Sequence, residues 1–184
     1  GFDWIVVDLE HSTISIEQAG ELIRVIDLAG SFPLVRLTSN DENQIKRVMD
    51  AGAHGIVVPM VNSVEDAMRA ISATRYAPQG NRGVGLARAQ KYGAGFKDYL
   101  EWQKENPVVI VQIEHIDAID HLEDIFSISN VDGFIIGPYD LSCSMGIPGE
   151  FKNPKFLEVM ELIRDCAKQS DKPGGLHIVE PDRK

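Results

Sequence analysis

Short runs of aliphatic and β-branched residues alternate along this chain with longer stretches whose apolar positions recur every three or four residues. The short runs are apolar on both faces, which is the pattern of parallel strands buried under helices. They fall at Trp4-Ile5-Val6-Val7, Pro33-Leu34-Val35-Arg36, Gly55-Ile56-Val57-Val58-Pro59, Val108-Val109-Ile110-Val111-Gln112-Ile113, Val131-Asp132-Gly133-Phe134-Ile135-Ile136 and Gly174-Gly175-Leu176-His177-Ile178-Val179. Between them the helical period predicts a helix starting at Ser15 with Ile16, Ala19, Leu22, Ile23 and Ile26 on one face, and a second over about 41–51 packing through Ile45, Val48 and Met49. A third follows Ser63 with Val64, Ala67, Met68 and Ile71 inward. Others are expected over 96–105, from 115 to about 127, and after Asn153 with Phe156, Leu157, Met160, Ile163 and Ala167 inward. Boundary chemistry agrees: Ser15 with Gln18 and Ser63 with Asp66 are capping patterns, Gly30 and Gly52 suit C-caps, and Asn153-Pro154 is an N-cap and N1 pair.

Six strands alternating with helices call for a parallel α/β sheet. An open doubly wound sheet would concentrate polar residues at one switch point. Here they recur at nearly every strand end, at Asp8, Arg36, Glu114, Asp140 and His177, which favours a barrel. A (β/α)8 TIM barrel needs two further strands. The expectation is therefore a single barrel domain over 1–184, truncated by about one strand at each end, and the abrupt start on an interior strand reads as part of a longer protein. An irregular stretch over 75–95 carries Gly80, Gly83, Gly85, Gly93 and Gly95 among Arg82, Arg88 and Lys91. Loops of this length are usually lids or binding loops.

Composition narrows the function. The formal net charge of −10 over 184 residues argues against a nucleic-acid binder, which needs clustered cations. No run approaches the roughly 18 apolar residues of a membrane span. Cys143 and Cys166 form no CxxC pair or disulfide framework, which suits a reducing cytoplasm. Arg82-Gly83-Val84-Gly85 meets neither GxGxxG nor GxxxxGK, so a nucleotide site is not expected.

The strongest chemical signal is the pair of carboxylates on neighbouring strand ends, Glu114 and Asp140. Two unpaired anions facing one pocket repel unless a cation or a shared proton relieves them, and a hard divalent metal does so. Against this, Asp140 precedes apolar Leu141 and is also placed to cap a short turn. Gln112 shares the Glu114 face by the two-residue strand period, positioned for a substrate carboxylate or for a metal's waters. His11, three residues past Asp8, is a proton-shuttle candidate whose partner is Asp8, Glu10 or Asp50. Arg36 ends a buried strand and must meet an anion: either Asp8 or Glu10 in a structural pair, or charge developing on a substrate oxygen. His54, His115 and His121 read as surface residues.

Taken together, several segments resemble the metal-dependent (class II) pyruvate aldolases of the hydroxyoxoheptanedioate aldolase and citrate lyase family, in the phosphoenolpyruvate/pyruvate barrel superfamily. They are Phe2-Asp3-Trp4, Asp8-Leu9-Glu10-His11, Val35-Arg36, Met49-Asp50-Ala51-Gly52, Val58-Pro59-Met60-Val61, Arg82-Gly83-Val84-Gly85, Val111-Gln112-Ile113-Glu114 and Gly137-Pro138-Tyr139-Asp140-Leu141-Ser142, in order along nearly the whole chain. The resemblance implies reversible cleavage of a 4-hydroxy-2-oxo acid to pyruvate and an aldehyde. It implies that Glu114 and Asp140 hold magnesium, manganese or cobalt, that His11 is the acid/base with its basicity raised by Asp50 from this or a neighbouring subunit, and that Arg36 stabilises the oxyanion. Gln112 and the Tyr139 backbone, beside Asp140, would hold the pyruvate carboxylate. Members commonly carry a small residue where Tyr139 stands, which implies a narrower aldehyde side here. A homo-oligomer, a hexamer or trimer of dimers, is also implied, although the terminal strands and the C-terminal helix that members exchange between subunits have no counterpart. The rivals are a malyl- or citramalyl-type CoA lyase of the same superfamily and a keto-acid-binding barrel without turnover.

Overall fold

The computed structural model describes residues 1–178. Its chain order is β1 (Trp4–Asp8), α1 (Ile16–Leu28), β2 (Phe32–Arg36), α2 (Glu42–Ala51), β3 (Gly55–Val58), α3 (Val64–Thr74), α4 (Phe96–Glu105), β4 (Val108–Ile113), α5 (Leu122–Ser127), β5 (Gly133–Ile136), α6 (Pro138–Ser144), α7 (Pro154–Ser170) and β6 (Gly174–Leu176). Each strand pairs in parallel with the next in sequence, so the order is β1-β2-β3-β4-β5-β6 with no reversal. A doubly wound sheet would need a switch point, and this one has none. The sheet also curls. Three strand spacings would hold β1 and β4 roughly 14 Å apart in a flat sheet, yet Glu10, just past β1, senses the charge of Glu114, just past β4. The result is a six-stranded α/β arc.

The strand runs form the core through the face that the helices cover: Val35, Ile56, Val58, Val109, Val111 and Ile113 share that face by register and are fully buried. Each such side chain contributes roughly 1.5–3 kcal/mol. Helix boundaries follow the capping chemistry. Ser15 and Gln18 exchange both bonds of a capping box, Ser63 accepts from the Asp66 N–H, Asn153 caps α7 with Pro154 at its first turn, and Gly52 closes α2 at φ 103°.

Several expectations change. The helix foreseen over 115–127 divides into a 3-10 turn, Ile116–His121, followed by α5. A short helix, α6, occupies the turn after β5. β6 ends at Leu176, and Val179, assigned to that strand, lies outside the described residues. Leu22, Met68 and Leu157 are about half exposed, because each sits beside rather than on the inward row of its helix. His54 is a partly buried aromatic partner, its ring 5.2 Å from Phe32 and 5.4 Å from Trp102, and burial pushes its pKa down. Among the described residues no helix is long and apolar enough to cross a membrane.

Candidate active site

The β1–β2 register sets Asp8 opposite Arg36 at the ends of their strands. Arg36 donates from Nε and Nη2 to the two Asp8 oxygens at 2.8 and 2.5 Å, and its hydrogen bond holds the Asp8 carboxyl below the usual carboxylate range. The remaining guanidinium nitrogen, Nη1, lies 3.2 Å from Glu10 Oε2, with both side chains 14% exposed. That approach lacks hydrogen-bond geometry, so Glu10 Oε2 is buried without a donor among the described residues. Burial pushes the Glu10 carboxyl up, Glu114 adds to the effect, and Arg36 opposes it. His11 lies on the open side of this corner, 67% exposed, with Nε2 4.0 Å from Glu10 Oε2. Its backbone N–H reaches Asp8 Oδ1 at 3.4 Å.

Across the arc, Glu114 follows β4 and is only 3% exposed. Gln112, two residues earlier on the same face, donates its side-chain amide to Glu114 Oε2. Met60 donates its backbone N–H to Oε1 at 2.8 Å. Met60 manages this at φ 52°, a conformation that costs a non-glycine residue roughly 1–3 kcal/mol and is typically kept where a site demands it. Pairing of Ile113 with Ile136 puts Gly137 against Glu114. A Cβ on Gly137 would stand 2.8 Å from Glu114 Oε2 and 3.7 Å from Asp140 Oδ2. The two carboxylate oxygens are therefore no more than 6.5 Å apart, 2.8 plus 3.7 Å, on the same rim.

This rim gathers four acids, Asp8, Glu10, Glu114 and Asp140, around the cation Arg36. Such a surplus favours a bound cation. Among the described residues no three His, Cys, Asp or Glu side chains are grouped to hold a metal alone. Two hard carboxylate donors, one buried and pinned by neutral donors, fit a magnesium-type ion that completes its shell with water and substrate oxygens.

Not every expected residue joins the rim. Asp50 lies in the last turn of α2, at the opposite end of the strands, where Arg82 Nη2 binds its Oδ1 at 2.7 Å. It does not reach His11 of its own chain, because α2 runs antiparallel to the strands and carries its C-terminal end away from their ends. Arg82 is itself fully buried between Tyr76 and Tyr99, with its Nη1 on the Tyr99 hydroxyl at 2.9 Å and on Thr74 O at 3.1 Å. The Tyr139 ring turns away to meet Phe151 edge-on at 4.8 Å. His177 follows β6 and is exposed. Sequence reasoning offered Glu10 only as one possible partner of His11 or of Arg36, and missed Met60 and Gly137, whose roles are backbone conformation and empty space. Two cavities of about 590 and 690 Å³ line other surfaces, one around His54 and Trp102 and one between α7 and β6. Neither is lined by Asp8, Glu10, Glu114 or Asp140, so chemistry identifies the rim.

Known proteins share this arrangement of the chain. Relative to the 2-keto-3-deoxy-L-rhamnonate aldolase of Escherichia coli (strain K12), the chain is 34% identical over 184 residues, spanning 99% of itself and 68% of that enzyme. It superposes with a TM-score of 0.88 at 31% identity on a HpcH/HpaI aldolase/citrate lyase family protein from Burkholderia cenocepacia J2315, covering 95% of this chain and 70% of that one. With the HpcH/HpaI aldolase of Desulfitobacterium hafniense DCB-2 the score is 0.85 at 28% identity, covering 97% and 70%. A family profile described as HpcH/HpaI aldolase/citrate lyase matches residues 1–176, and the chain belongs to that family.

Proposed function

We propose that the chain is a class II pyruvate aldolase that reversibly cleaves a 4-hydroxy-2-oxo acid to pyruvate and an aldehyde. The observation that carries this reading is the approach of Glu114 and Asp140 to within 6.5 Å on one rim, together with the Asp8–Arg36–Glu10–His11 corner, where Arg36 and Glu10 feel the charge of Glu114. The E. coli relative points to a deoxy-sugar-derived oxo acid as the substrate class.

In this reading Glu114 and Asp140 would hold Mg²⁺, Mn²⁺ or Co²⁺, which supplies Lewis-acid polarisation of the keto oxygen when bound. His11, exposed on the open side, takes the proton from the 4-hydroxyl during cleavage and returns it during condensation. Arg36, locked by Asp8, directs its remaining N–H groups at the oxygen where negative charge develops. Gln112 keeps the Glu114 carboxylate in place, and the backbone at Tyr139 faces the pyruvate carboxylate. Asp50 raises the basicity of His11 by its negative charge, without binding a ring nitrogen, from a neighbouring subunit of a homo-oligomer, a hexamer or trimer of dimers, since its own chain holds the two at opposite ends of the strands. We further read the arc as part of a single (β/α)8 barrel domain, and the two free cysteines as those of a cytoplasmic enzyme.

A lactate dehydrogenase-coupled assay tests this. Pyruvate should be released from 2-keto-3-deoxy-L-rhamnonate only with a divalent metal, and His11→Ala should lower turnover by about 10²-fold or more while leaving metal binding intact. Turnover of CoA thioesters alone, or a His11→Ala variant at full speed, would refute the assignment.

A further inference from the structure

Glu10 Oε2 is the anomaly of the rim. It is a carboxylate oxygen sealed from solvent, with no hydrogen-bond donor among the described residues, although a guanidinium stands 3.2 Å away. Arg36 does not satisfy it because Asp8 takes the Nε and Nη2 donors in a bidentate grip that fixes the guanidinium plane. The other candidate donor is His11 Nε2 at 4.0 Å. Hydrogen-bond distance would require a shift of roughly 1.2 Å, which a mostly exposed ring is free to make. Asp8 is unsuited to the same service, since both of its oxygens are occupied by Arg36.

We propose that Glu10 is the positioning residue of His11: its carboxylate accepts the Nε2–H, turns the other ring nitrogen toward the substrate, and stabilises the imidazolium that forms during cleavage. The inference rests on the aldolase reading above and adds a residue to it. The step balances as follows. The O4 proton passes to His11 Nδ1 as the C3–C4 bond breaks, C4 becomes the aldehyde carbonyl, and the bond's electron pair remains on the pyruvate fragment as its enolate. The imidazolium then gives its proton back, directly or through water, to C3. Glu10 neither gains nor loses a proton in this step; it offsets the transient charge.

The test is a comparison of two reactions in the metal-loaded protein. Cleavage of 2-keto-3-deoxy-L-rhamnonate needs a base for the hydroxyl proton, whereas decarboxylation of oxaloacetate reaches the same enolate by loss of CO₂ with no hydroxyl proton to remove. Glu10→Gln should lower aldol cleavage by roughly 10- to 100-fold, in line with the loss of a tuned base, and leave decarboxylation within about threefold. Glu10→Asp, which keeps the charge on a shorter arm, should recover part of the cleavage rate and guards against a fold defect in the amide variant. Equal loss of both reactions would reduce Glu10 to a brace for Arg36 and overturn the inference, as would cleavage at the wild-type rate in Glu10→Gln. A wild-type protein that releases no pyruvate from hydroxyoxo acids would instead overturn the aldolase reading, and this inference with it.

Discussion

Replacing Gly137 by alanine adds one methyl group and no charge, which makes it a clean probe of the carboxylate rim. The backbone there has φ −94° and ψ 90°, so an alanine meets no left-handed penalty. What it meets is Glu114: the new Cβ would stand 2.8 Å from Oε2 and 3.0 Å from the Glu114 Cβ, where ordinary contact begins at 3.4 Å. The carboxylate must retreat by about 0.6 Å or the strand end must open, while Met60 and Gln112 hold both oxygens where they are. Overpacking of this kind costs roughly 1–3 kcal/mol of stability. Sites tolerate only about 0.5 Å of displacement, and a 1 Å error can cost 10²-fold in rate, so metal-dependent pyruvate release should fall by about 10- to 100-fold. Calorimetric titration with Mn²⁺ should show weaker binding, and thermal unfolding a lower midpoint. Unchanged Mn²⁺ affinity and unchanged turnover in a folded Gly137→Ala variant would refute the claim that Glu114 is held in a ligating position against Gly137.

Two further predictions concern stability. Asp50→Ala removes the carboxylate from a fully buried Arg82, and breaking a buried pair on one side costs about 3–5 kcal/mol; because Asp50 is 23% exposed, the lower end of that range is expected in urea unfolding, and a loss below about 1 kcal/mol would show that Tyr99 and Thr74 suffice. Asp8 has a depressed folded pKa through its Arg36 hydrogen bond, so its stabilisation is fully present above the unfolded carboxylate value near 4 and is lost as pH falls through the lower folded value. Asp8→Asn should therefore flatten the acid limb of a stability-against-pH curve below about pH 4, and an unaltered limb would exclude the pair as its source. Glu10 has the opposite sign: burial raises its folded pKa, so its contribution is present below the unfolded value and is lost as pH rises through the folded one.

The residue-level periods and boundary chemistry of this chain are local quantities, and the sequence by itself determined what depends on them. β4 runs over the same six residues as its apolar run, Val108–Ile113, and Ser15, Ser63, Asn153 and Gly52 cap the helices they were expected to cap. Polar residues at successive strand ends also sufficed to prefer a barrel arc over a doubly wound sheet, because parallel strands joined by helices all present the same end. The site depended on more than that. Asp8 meets Arg36 across 28 residues, Arg82 meets Asp50 across 32, and Met60 meets Glu114 across 54. Such meetings are set by inter-strand register and by the curl of the sheet, which no local period encodes. Only the tertiary structure could seal Glu10 Oε2 from its donors, turn Met60 into a left-handed conformation, leave room at Gly137 for a carboxylate, and carry Asp50 to the far end of the strands, away from the histidine it was expected to serve.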